Sequence, residues 1–282
     1  MAVSRKGKKR SVVATQQERT PYLIWSILIP ILLLFAFSLW HYRTGIQYYV
    51  KVLFQDEDVS IEVNKKYDAR NIFLMSKHEE KAFGIDVSHY QSRIQWDSIS
   101  TINDRFPLDF VFVRATMGER NVDREFENNW NGARGRSKIR GAYHYYRPNE
   151  NSIRQADNFI RRVRLKAGDL PPVLDIEELP KRQSLSELKK GLKRWLDRVE
   201  KHYKVKPILY SGDSYYTDFL QKEFSDYVLW IANYNFWIES PKEHWDFWQF
   251  SEKGTVNGIS TPVDLNMFQG DIEVLESLCI PF

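Results

Sequence analysis

The chain has 282 residues, 43% of them apolar and 15% aromatic, which is room for one large domain with a sizeable core plus an appendage. Its single cysteine, Cys279, excludes an intrachain disulfide. The net charge of +4 belongs to a tail: residues 1–19 hold six Lys or Arg against Glu18, and the remainder, with 35 basic and 36 acidic side chains, gives no electrostatic case for nucleic-acid binding.

Residues 1–20 read as a basic cytoplasmic tail. They precede PYLIWSILIPILLLFAFSLW, residues 21–40, which contains no charge. Twenty such residues make about 30 Å of helix, the thickness of a bilayer's hydrocarbon core. Pro30 is tolerated in such a span, and Trp25, Trp40 and Tyr42 stand where interfacial aromatics do. A cleaved signal peptide is the rival reading, with Ala36-Phe37-Ser38 as its faint cleavage site; the length of the apolar run favours a retained transmembrane anchor. The basic residues before it orient the N-terminus to the cytoplasm and place the rest in the periplasm or outside the cell. Residues 41–81 lack a clean period and read as a stalk.

From residue 82 the pattern changes. Short β-rich runs appear at 82–88, 110–116, 139–146, 171–177, 207–211, 227–234, 247–251 and 263–268. Between them lie helical stripes: Val122, Phe126, Trp130 and Ala133; Ile153, Ala156, Phe159, Ile160 and Val163; and Leu185 through Tyr203, opened by the capping box Ser184-x-x-Glu187. Eight strands alternating with helices predict an α/β fold, a parallel βα architecture closed as an irregular (β/α)8-like, TIM-type barrel over 82–282. The short spacing of the last three strands predicts the irregularity there.

Acids fall at the ends of these runs. PPVLDIEELP, residues 171–180, puts Asp175 and Glu177 on one face of a strand because side chains alternate with period two. Two carboxyls so close push their titrations apart, leaving one protonated near neutral pH and the other ionised. Glycoside hydrolysis needs that combination: a proton donor to the leaving oxygen and a fixed charge at the oxocarbenium-like centre. Asp86 comes late in the first run, whereas Asp264 lies near the start of the eighth. Tyr143, Tyr145, Tyr146, Tyr210, Trp230, Tyr234, Trp248 and Phe250 are placed to stack on or hydrogen-bond sugars, about half of them being ordinary core. Arg114, Asn233 and Gln249 are candidates to hold the acids. A metal-dependent hydrolase would want histidines among the carboxylates; only His89 and His144 fall near them, no HExxH occurs, and His144 reads as a packed residue.

In this order of motifs the chain resembles glycoside hydrolase family 25, the lysozyme-type N-acetylmuramidases. FGIDVSHYQ, FVFVRATMG, RGAYHYYRP, PPVLDIE, PILYS, LWIANY, FWQFS and VDLNMF resemble its successive strands from Phe83 to Asp271. The resemblance implies cleavage of the β-1,4 bond after N-acetylmuramic acid in peptidoglycan, with no metal or other cofactor. It implies Glu177 as general acid, Asp175 as nucleophile or as the group positioning the substrate's acetamido, and Asp86 and Asp264 as flanking carboxylates. Two departures touch the cleft rim. Met117 stands where the family commonly has Glu, with Glu119 two residues on, and Gln91-Ser92 and Gln95-Trp96 replace Gln-Gly and Asp-Trp. The alternative is a non-catalytic, membrane-anchored peptidoglycan-binding domain, which would keep the aromatics and have no need of the Asp-x-Glu pair.

Overall fold

The computed structural model describes residues 22–43, 46, 47, 50, 65–136 and 139–281. The chain divides into two units, Met1–Arg43 and Thr44–Phe282. In the first, helix α1 (Tyr22–His41) contains Pro30 and no Asp, Glu, Lys or Arg, and His41 stands at its end. All large apolar side chains from Trp25 to Trp40 are exposed. Ser38 satisfies its hydroxyl on the Leu34 carbonyl at 2.9 Å. The helix occupies the stretch expected to span a bilayer; among the described residues, however, no helix is long and apolar enough to cross one. The side chains of residues 22–24 lie outside the described set.

The second unit is a closed ring of eight strands: β1 (Phe83–Val87), β2 (Phe110–Met117), β3 (Ile139–Tyr145), β4 (Val173–Asp175), β5 (Ile208–Gly212), β6 (Leu229–Ala232), β7 (Phe247–Gly254) and β8 (Val263–Phe268). β1 through β7 run parallel in chain order. β8 closes the ring antiparallel to both β7 and β1. The wholly parallel barrel is thus corrected at one strand. Residues 255–262 are fewer than the dozen or so a parallel crossover requires, so the chain reverses.

Period two decides what fills the ring. On β2, Phe110, Phe112 and Arg114 share the inner face; Phe112 stacks on Trp230 at 4.2 Å between centroids and meets Phe247 edge-on at 5.3 Å. Room for these rings comes from glycine: a Cβ on Gly84 would lie 2.4 Å from the Phe110 ring. Toward the C-terminal ends the inner residues turn polar, and the plug of aromatic rings becomes the floor of a cleft.

Outside the ring lie α3 (Phe126–Arg136), α4 (Ser152–Arg162) and α5 (Leu185–Tyr203). Ser184 caps α5 by accepting from the Glu187 N–H at 3.2 Å, and Leu188, Leu192, Trp195, Leu196 and Val199 form its buried stripe. The expected stripe from Val122 starts late: Val122 belongs to a two-residue strand and α3 begins at Phe126. A short helix, α6 (Ile272–Leu278), follows the barrel.

The expected stalk also needs correction over its last part; residues 51–64 lie outside the described set. Residues Lys65–Lys77 form a helix, α2, that packs on the barrel. Ile72, Leu74 and Met75 are buried. Asp68, fully buried, accepts from Asn103 Nδ2 at 2.9 Å and Thr255 Oγ1 at 3.1 Å. Folding of the domain therefore extends N-terminal of residue 82. Leu74→Ala should cost about 2–5 kcal/mol in equilibrium denaturation; a change below about 0.5 kcal/mol, as at an exposed position, would show that α2 is not part of the cooperative unit.

Candidate active site

A cavity of about 440 Å³ opens at the C-terminal ends of the parallel strands. Asp86, Arg114, Tyr143, Tyr145, Asp175, Glu177, Tyr210, Trp230, Tyr234, Gln249 and Asp264 all line it. Strand direction explains Asp264. Because β8 is antiparallel, its beginning lies at the working end of the ring, and Asp264 is in register with Asp86 at the end of β1.

Asp86 is held by two amides. Gln249 Nε2 and Asn266 Nδ2 both donate to its Oδ2, at 2.7 and 2.8 Å. Each amide is oriented in turn. Tyr210 donates to Gln249 Oε1 at 2.7 Å and Tyr234 donates to the same atom, while Trp230 Nε1 donates to Asn266 Oδ1 at 2.8 Å. Both amide oxygens are occupied, so both NH2 groups face the acid.

Asp175 is buried and its Oδ1 takes no hydrogen bond from the protein. Glu177, beyond the strand end, stands at the rim, exposed as a residue but with its carboxyl turned against Asp175 and partly withdrawn from water. Burial, then the charge of Glu177, pushes the Asp175 carboxyl well above the usual range. Burial also raises Glu177, against a lowering by its contact with Asp175. Both carboxyls are thus pushed toward the protonated form, and their contact lets one proton serve the pair. Across the cleft, burial lifts Asp86 to about 6, the two amide donors pulling against it. Burial, then the Asp86 charge, lifts Asp264 to about 9.

Arg114 is the positive charge among these acids. Asp123 fixes it, accepting from Nε at 3.0 Å, and the guanidinium lies 5.0 Å from the Tyr90 ring centroid. Asp123 also accepts the His89 N–H at 3.0 Å. The orphan position left by the family's Glu is a wall of the cavity formed by Met117. Glu119 is engaged elsewhere, accepting from the Asn151 N–H at 2.7 Å. Ser92 adopts φ 55°, ψ −145°, a conformation that favours glycine.

Two expected contacts are absent from the cavity wall. Trp248 faces outward from β7, fully buried beside Trp245 and Phe250, with its indole N–H on the Asn233 carbonyl at 2.9 Å. Asn233 donates to Asp213 Oδ2 at 2.8 Å. Tyr146 and Phe250 are core, and His144 is buried between Thr116 and Gln155, its pKa lowered by burial to about 4. Sequence reasoning missed Asn266, although it lies two residues from Asp264 on the same face, and also missed Tyr90, Arg147, Glu178 and Glu252 on the cavity wall.

Carboxyls raised in the folded state bind protons that the unfolded chain releases above about pH 4. Their stabilising effect is complete below that pH and is lost as pH rises through the folded values, up to Asp264 at about 9. The denaturant midpoint should therefore fall between about pH 5 and pH 9, and Asp264→Asn should flatten the upper part of the fall. A midpoint that rises across that range contradicts the assignment.

Comparison with known proteins agrees with this geometry. Residues 85–259 match the family model of the glycosyl hydrolases family 25. The chain is 42% identical over 198 residues to the uncharacterized protein YegX of Escherichia coli K12, covering 69% of this chain and 72% of that one. It is 32% identical over 210 residues to lysozyme M1 of Streptomyces globisporus, covering 69% and 70%. Among solved structures, the bacterial lysozyme from Streptomyces coelicolor superposes with a TM-score of 0.63 at 29% identity, over 70% of this chain and 96% of that one. The family 25 glycosyl hydrolase from Bacillus anthracis gives 0.62 at 28%, over 72% and 95%. With its ring of strands, the acids at its mouth and these relatives, the chain belongs to glycoside hydrolase family 25.

Proposed function

We propose that the domain is a lysozyme-type muramidase, hydrolysing the β-1,4 bond between N-acetylmuramic acid and N-acetylglucosamine in peptidoglycan. The observation that carries this reading is the carboxyl pair Asp175 and Glu177, one buried and one at the rim, at the mouth of a polar cleft. A sugar laid over Glu177 strips water from its carboxyl and draws the shared proton outward. Glu177 then gives that proton to the leaving oxygen as the glycosidic bond breaks. Asp175, left ionised beneath, meets the positive charge at the anomeric carbon, directly or through the substrate's acetamido group. Water adds at that carbon, and its proton returns to Glu177. Asp86 and Asp264 hold a second proton across the cleft and limit the charge gathered there. A binding module could use one acid to accept sugar hydroxyls, but it has no use for a second carboxyl set against the first, whose repulsion costs stability.

Glu177→Gln keeps the shape of the site and removes the donated proton. It should lower kcat on peptidoglycan by about 10²–10⁴-fold; a variant that retains most of its activity would contradict the role of Glu177.

The membrane anchor belongs to the same proposal. It is supported by the uncharged run 21–40, by the outward apolar side chains of α1 and by the six basic residues before it. On this reading the N-terminus is cytoplasmic and the catalytic domain lies in the periplasm or outside the cell. The full chain should stay in the membrane pellet through alkaline washing. Release into the wash, or a mature chain that starts after residue 38, would contradict the anchor.

A further inference from the structure

Residues 233–240 leave the C-terminal end of β6, the end at which the acids stand. The loop first turns inward, with Tyr234 lining the cavity and donating to Gln249. Its next residues turn outward: Phe236 is 53% exposed and Trp237 80%. An indole left this open forfeits the stabilisation that burial of its faces would give.

The loop holds the ring there. Asn233 Oδ1 accepts from the Asn235 N–H at 2.9 Å, and Asn235 Oδ1 accepts from the Trp237 N–H at 3.0 Å. Arg70, on α2, grips the loop from behind: Nη2 donates to the Asn235 carbonyl at 3.0 Å and Nη1 to the Phe250 carbonyl on β7 at 2.9 Å. Its guanidinium carbon lies 5.9 Å from the Phe236 ring centroid. Phe236 is thus backed by a cation, and Trp237 stands edge-on to it at 5.3 Å and 88°. The neighbouring charges are neutralised, Glu239 being paired with Lys77 at 3.0 Å.

We propose that Phe236 and Trp237 form a stacking platform for a sugar ring of the glycan strand outside the cavity, with Arg70 as the residue that fixes it. The inference rests on the muramidase reading, since it gives the same strand a second point of contact. Continuity with the cleft selects this occupant. Trp237 is three residues from Tyr234, so their Cα atoms are at most about 11 Å apart, and a polymer cut in the cavity must run out past the rim. The apolar face of a pyranose matches a flat, uncharged indole. Arg70 lies outside residues 85–259, so the platform depends on a helix beyond the family's matched region.

The test is binding, measured in the full chain carrying Glu177→Gln so that no substrate is consumed. The probes are peptide-free glycan strands, long ones and the tetrasaccharide. The parent should bind the long strands about three- to tenfold more tightly than the tetrasaccharide, a difference in the range of aromatic stacking. Adding Trp237→Ala should make the two affinities equal, Trp237→Phe should restore most of the difference, and Arg70→Ala should reduce it. Because Trp237 is exposed, its substitution leaves the core intact even if Arg70→Ala weakens folding. A long-strand preference that survives Trp237→Ala overturns the platform. So does a change that appears only when the protein sits in lipid vesicles, which would assign the pair to the bilayer surface. Hydrolysis by the protein with Glu177 intact, measured in parallel, separates failure of this inference from failure of the muramidase reading.

Discussion

Six carboxyl groups, those of Asp86, Asp175, Glu177, Glu178, Glu252 and Asp264, share the mouth of one barrel, and their mutual repulsion is the constraint to which the surrounding structure answers. A charge taken from water into a site of low polarity costs several kcal/mol unless it is paired, hydrogen-bonded or neutralised. The domain uses all three. Arg114, pinned by Asp123, supplies a positive charge. Gln249 and Asn266 aim their amides at Asp86 because tyrosine and tryptophan donors occupy their oxygens. What remains pushes Asp175 and Asp264 toward their protonated forms. Burial thus favours keeping a proton within the Asp175–Glu177 pair.

The reversal of β8 joins fold to chemistry. Had the last strand run parallel, Asp264 would lie at the opposite end of the ring from Asp86. Running antiparallel, it brings Asp264 and Asn266 to the same mouth, one beside Asp86 and the other bonded to it. The aromatic plug beneath, Phe112 on Trp230 with Phe247 at its edge, makes an apolar floor. Trp230 serves in both layers, stacking downward and donating upward to Asn266.

Much of the site was legible in the sequence because it is local. The Asp175-x-Glu177 spacing marks two acids at one strand end, Asp175 closing β4 and Glu177 just past it, and both reach the cavity; the end of a strand run also locates Asp86. Asp264 was legible as an acid but not in place, since the direction of β8 is decided by a connection too short for a crossover. Trp248 and Asn233 were misplaced for the complementary reason. Trp248 alternates with Gln249 and so must face away from it, and Asn233 lies past the strand end, where period two no longer decides orientation. The stalk concealed α2 because a short amphipathic stretch rich in charge shows no clean period. Its partners, Asn103, Phe250 and Thr255, are distant in sequence.

The central claim is that the Asp175–Glu177 pair cuts on a defined side of a defined sugar. The most direct measurement is the identity of the new reducing ends, by mass spectrometry, after the full chain and its Glu177→Gln variant act on peptidoglycan. Reducing N-acetylmuramic acid ends from the unsubstituted protein alone are the predicted result. Reducing N-acetylglucosamine ends, or ends that appear equally with the variant, would contradict it.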